Sequence, residues 1–178
     1  MSAESETTIV NMALSRIGNT LQISDIDTDV STAGDQARLH YANARDSLLR
    51  SHPWNFAIKR ADLAADSTAP LFEYGYAFAL PSACLRIILT SWEATGWSSR
   101  DEAVRVFWDS NDIPYRIERH SSGATSLLCN EDSVSIEYIA RVTDTSRFDP
   151  MFTDVLVARL AAELAMPLGD NPRLMQQM

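Results

Sequence analysis

The first apolar positions, Ile9, Ala13, Leu14 and Ile17, recur at the 3.6-residue period of a helix and fall on one face. This predicts a short helix with Thr7 or Thr8 as N-cap and Gly18 as a left-handed stop. Asn19 to Val30, rich in Ser and Asp, reads as a loop. A second stripe follows, in which Ala37, Tyr41, Ala44 and Leu48 stand 4, 3 and 4 residues apart. It predicts a long helix from about Thr32, where Thr32 and Asp35 form a capping box with Asp replacing Glu. Arg38, Arg45 and Arg50 lie off this stripe and are therefore expected at the surface. Pro53 ends the helix by pushing the preceding residue out of the helical region. Pro53, Trp54 and Phe56 then form an aromatic corner, with both rings expected to be buried where this helix meets a β-rich part.

The pattern changes after the corner. Phe72–Leu80 alternates or runs apolar over too short a span for a good helix, and Leu85–Leu89, Val104–Trp108, Tyr115–Arg119 and Val134–Val142 are β-type segments. The turn residues His120–Gly123 pair Tyr115–Arg119 with Ser126–Cys129 as a hairpin. Asp149 and Pro150 supply an N-cap and a first-turn proline for a third helix, carrying Phe152, Val155, Leu156, Leu160 and Leu164 as far as Pro167. The expected fold is α+β in one domain: helical parts over 7–52 and 149–178 packed with a small antiparallel meander over 56–147.

Composition adds limits. With 46% apolar and 22% charged residues the chain is ordinary globular material. The net charge of −9 is spread along the whole chain, with no basic tail or face, which argues against tight neutralisation of nucleic-acid phosphates. Lys59 is the only lysine, against fourteen arginines. That skew fits an interface-rich surface, where Arg is favoured over Lys, and equally a GC-rich coding bias. Cys84 and Cys129 stand in apolar settings and read as small buried residues. The polar, acidic N-terminus gives no secretory signal, and no run approaches the apolar length of a membrane span, so no membrane partner is expected.

The chemistry sought in the sequence is weak everywhere. Asp25-x-Asp27-x-Asp29 opens like a calcium loop, but Val30 and Gln36 occupy the positions where an EF-hand needs Gly and Glu, so solvated loop carboxylates are the better reading. The isolated glycines make no phosphate cradle, and His40, His52 and His120 have no partner at metal-ligand spacing. The aromatic set from Trp54 to Phe78 lacks the interleaved Lys and Arg of a base-stacking surface and reads as packing. No cofactor and no catalytic or metal site is expected.

Several stretches resemble tail tubular protein A of podoviruses and related head–tail adaptors. They are Val10–Gly18, Tyr41–Arg50, Pro53–Ala57, Tyr115–Glu118, Ile136–Ile139, Arg141–Asp144, Phe148–Pro150 and Ala158–Ala165. The likeness covers roughly residues 9–168 and is weakest over 91–103. It implies a non-enzymatic virion protein, made in the host bacterial cytoplasm, that forms a ring of usually twelve copies at the head–tail junction. The ring would join the portal to the tail nozzle or tube, with DNA passing through its lumen without specific binding. Such adaptors usually continue into a further C-terminal helix that engages the portal. Here Asn171–Met178 stand in its place, which makes Asn171, Arg173 and Leu174 the candidate portal contacts.

Ring contacts are expected from Arg38, Arg45 and Arg50 and from the loop Ser91–Arg100 with Trp92 and Trp97, since Arg and Trp dominate interface hot spots. The competing reading of the arginines is ordinary solvated helix surface. Two other classes remain open: a tail-assembly binding module or chaperone that leaves the particle, and a small enzyme with an unrecognised site.

Overall fold

The computed structural model describes residues 5–19, 22–91, 114–119, 123 and 125–168. Among them the elements are α1 (Glu6–Arg16), α2 (Thr32–Ser51), β1 (Ile58–Leu63), β2 (Tyr76–Ala79), β3 (Cys84–Ser91), β4 (Arg116–Arg119), β5 (Thr125–Cys129), β6 (Val134–Ala140) and α3 (Pro150–Leu168). The fold is α+β. The chain divides into two compact units, one of residues 1–57 with 141–178 and one of residues 58–140.

In the helical unit α3 packs against both α1 and α2. Its buried residues, Phe152, Leu156, Val157, Leu160, Ala161, Leu164 and Ala165, make a stripe wide enough for two partners. The α2 stripe of Ala37, Tyr41, Ala44 and Leu48 is buried as its spacing predicts. Gly18 does stop α1: at φ +77° it lets its own N–H reach the Ser15 carbonyl and the Asn19 N–H reach that of Leu14. Both N-caps differ from expectation. Ser5 and Ser31 hold the extended cap conformation and accept from the Thr8 and Gly34 amides, so Thr7, Thr8 and Thr32 lie inside their helices. The third helix starts as expected, with Asp149 Oδ1 accepting from the Met151 amide at 2.8 Å. It runs only one residue past Pro167, which has no N–H to donate to the Glu163 carbonyl and so ends the helix.

The second unit is a small sandwich of two antiparallel sheets, in strand orders β1-β6-β3 and β2-β5-β4. Alternate β6 residues, Val134, Ile136, Tyr138 and Ala140, share one core with Phe78, Leu127 and Cys129 of the other sheet. The expected hairpin is present: β4 pairs with β5, Ile117 opposite Leu127. Cys129 is buried and Cys84 partly so, and among the described residues no disulfide joins them. The span Phe72–Leu80 holds no helix, as expected; within it β2 begins at Tyr76, and Phe72 is exposed. One strand expectation needs correction. The last strand ends at Ala140, because Arg141 turns away to pair with Asp46 at 2.6 Å. Expected strand Val104–Trp108 lies outside the described residues, as does the His120–Ser122 part of the turn.

Candidate functional site

Three features of the helical unit could carry function: the aromatic corner, the arginines of α2 and the acidic loop. The corner is built on Phe152, fully buried in the first turn of α3. Trp54, Phe56 and Phe148 each meet it at a steep angle, with ring centroids 5.2, 5.2 and 4.8 Å away. Such edge-to-face geometry adds to simple area burial. Trp54 also donates from Nε1 to the Leu48 carbonyl at 3.2 Å, which satisfies an end of α2 that Pro53 leaves open. Trp54 and Phe56, expected to be buried, are half-buried, because Phe152 occupies the interior and they pack against it. Their outer faces, with Pro53, Arg147 and Phe148, line an open cleft of about 520 Å³ between residues 52–56 and 147–150. Sequence reasoning missed Phe148 and Phe152 as members of this corner, although their spacing of four across the Asp149–Pro150 helix start is the signal for it.

The three arginines of α2 have separate environments. Arg45 is buried, contrary to its position off the apolar stripe. Its guanidinium lies 2.9 Å from Asp46 and 3.7 Å from Glu6 on α1, and 5.9 Å above the Tyr41 ring. Burial is tolerated because the planar group meets two carboxylates and lies over a ring. Glu6 has its pKa raised by burial, with Arg45 opposing, and burial pushes the Tyr41 hydroxyl upward. Arg45 is thus a structural tie between α1 and α2. Arg38 is partly buried and donates from Nη1 to the carbonyls of Ile26 and Asp29, both at 2.8 Å, while pairing with Asp35. It straps the acidic loop to α2. Arg50, near the C-terminal end of α2 where a cation suits the helix dipole, is exposed.

The loop carboxylates do more than sit in water. Asp25 Oδ1 accepts from the amides of Asp27 and Thr28 at 2.9 and 3.0 Å. Asp29 takes the Ser31 amide on one oxygen and the Ser24 amide on the other, each at 2.9 Å. Hydrogen bonds from Ser31 and Ser24 bring the Asp29 carboxyl down to about 2. Among the described residues no group of three His, Cys, Asp or Glu is placed to hold a metal ion. Trp92, Trp97, Asn171, Arg173 and Leu174 lie outside the described residues.

No protein-family model matches the chain, and no curated protein matches it.

Proposed function

We propose that the protein is a structural head–tail adaptor of a tailed bacteriophage, similar to tail tubular protein A. In this reading it forms a ring, expected at twelve copies, between the portal and the tail nozzle or tube. It acts by shape and adhesion, with no reaction and no cofactor, and resides in the virion after synthesis in the host cytoplasm. DNA passes through the lumen without being held.

The observation that carries the reading is where the resembling stretches fall. Val10–Gly18, Tyr41–Arg50, Pro53–Ala57, Phe148–Pro150 and Ala158–Ala165 all belong to the helical unit and supply its helix contacts and its aromatic corner. They come from both ends of the chain yet build one compact body, as a resemblance of architecture requires. The even negative charge supports a conduit role, since a duplex slides past carboxylates without the counterion-releasing contacts that would hold it.

The test is to mix the protein with the portal encoded in the same genome and image the product by electron microscopy. A ring of density seated on the portal is expected, and purified particles should contain the chain at fixed ratio to the portal. Absence from particles, with binding to tail components alone, would replace the adaptor by an assembly factor.

A further inference from the structure

Leu71 and Phe72 are exposed side by side, at 98% and 75% of their full surfaces. They stand at the tip of the turn leading into β2, and this turn is held from several sides. Tyr74 donates its amide to the Phe72 carbonyl at 2.9 Å, and Gly75 donates to Asn130 Oδ1 at 2.9 Å. Glu73 sits at φ +69°, a left-handed conformation unusual for its type, with its carboxylate 3.5 Å from Arg116 on β4. A strained residue persists only where its surroundings over-determine it. The two apolar side chains are therefore presented on a fixed support, and such an exposed pair is a liability to a monomer.

The same chain carries a cleft of matching chemistry. The open cleft of about 520 Å³ in the helical unit offers the outer faces of Trp54, Phe56 and Phe148, with Arg147 at its rim. Glu73 flanks the apolar tip and is opposite in sign to Arg147, the one arginine lining a cleft that Asp149 also borders. Each is now in an exposed ion pair, Glu73 with Arg116 and Arg147 with Asp144, both at 3.5 Å. Exposed pairs of this kind contribute little, so exchanging partners costs little. A second cleft, between 19–33 and Leu168, is lined by Asp29 and, among the described residues, by no cation that could meet Glu73. Because each copy carries a net charge of −9, association between copies needs a local apolar contact with opposite charges at its edge, and this pairing supplies one.

We infer that the Leu71–Phe72 tip of one copy docks into the aromatic cleft beside Trp54 and Phe148 of a second copy of this chain. Tip and cleft are different patches, so the contact is head-to-tail and propagates until it closes into a ring or runs on as a filament. The inference deepens the adaptor reading by naming a subunit contact, and that reading selects the closed ring.

The experiment places a photo-crosslinking benzoylphenylalanine at Phe72 and irradiates a concentrated mixture of isotopically light and heavy chains. The expected products join residue 72 to peptides spanning 52–56 or 147–150, in mixed light–heavy pairs. Leu71→Ser should reduce them about tenfold, as loss of a buried apolar anchor does. Glu73→Arg and Arg147→Glu should each weaken them, and the two variants mixed should restore them. Both sites are exposed, so folding is kept. Products confined to single chains, or none reaching the cleft, would overturn the inference. Rings formed on the portal by Leu71→Ser/Phe72→Ser protein would also overturn it while leaving the adaptor reading in place. Mixed-chain products with no ring on the portal would keep the docking contact and remove the adaptor.

Discussion

At the scale of single residues, exposure and hydrogen bonding separate side chains that look alike in the sequence. Phe152 is fully buried and touches three other rings, so Phe152→Ala should cost about 3–5 kcal/mol, the usual range for emptying such a site. Trp54→Phe should cost far less, about 0.5–1.5 kcal/mol. It keeps an aromatic ring against Phe152, and the Leu48 carbonyl that loses the indole N–H still accepts from Ser51 Oγ at 2.8 Å. Urea melts followed by far-UV circular dichroism would rank the two, and an equal loss in both would show that the corner does not centre on Phe152. Arg45→Ala should cost about 3 kcal/mol, near the low end for breaking a buried pair, since Glu6 and Asp46 keep some access to water. A loss below 1 kcal/mol would return Arg45 to the solvated surface that its place off the apolar stripe predicts.

At the scale of elements, the loop over residues 22–31 is a built part of the helical unit. Asn11 Oδ1 and Nδ2 hold the amide and carbonyl of Ile23 at 2.9 and 3.0 Å, Thr7 accepts from the Ile26 amide, and Arg38 takes two loop carbonyls. Gly34 is where loop and helix come closest: a Cβ there would stand 2.7 Å from the Asp29 carbonyl oxygen. Gly34→Ala should therefore destabilise the protein, although alanine is favoured in a helix by about 1 kcal/mol. A raised melting temperature would mean the loop can yield. Asp29 contributes to the pH response. Its folded value of about 2 lies below the ordinary 3.8, so its stabilising effect is complete above the ordinary value and is lost as pH falls toward 2. The amide resonances of Ser24 and Ser31 should titrate with a midpoint near 2, and a midpoint near 4 would mean those hydrogen bonds do not hold.

What could be read from the sequence follows the same logic. Helix periodicity and the Gly18 stop were legible because they depend on neighbours in the chain. The caps slipped by a residue or more because Ser5, Thr7 and Thr8, and likewise Ser31 and Thr32, are all competent, and only backbone geometry selects among them. Strand β1 had no signal of its own. Lys59, Arg60 and Asp62 are polar, and the strand exists because β6, far along the chain, supplies Glu137 for Arg60 and Ser135 for Asp62. The start of β2 within Phe72–Leu80 was not legible, because an apolar residue on a supported tip has the same composition as one in a strand.

At the scale of the whole molecule, the helical unit is assembled from both ends of the chain, with the sandwich as one continuous insertion between Ala57 and Arg141. The helical unit can close only when α3 meets α1 and α2, so its contacts span nearly the full sequence. Charge is the property that acts at this scale. A net charge of −9 per chain gives a duplex no phosphate-neutralising stripe, and a ring of such chains multiplies the sign. Arginines that might have served are engaged within the described residues: Arg16 with Asp154, Arg38 with Asp35, Arg60 with Glu137 and Arg141 with Asp46. Non-specific binding to DNA rests almost wholly on released counterions, and a phosphate that approaches these arginines also meets the carboxylates beside them. The protein should therefore show no measurable affinity for double-stranded DNA in a gel-shift titration at physiological salt. Micromolar binding that weakens steeply as salt rises would reveal a basic surface and assign the protein a DNA-handling role in place of a passive conduit.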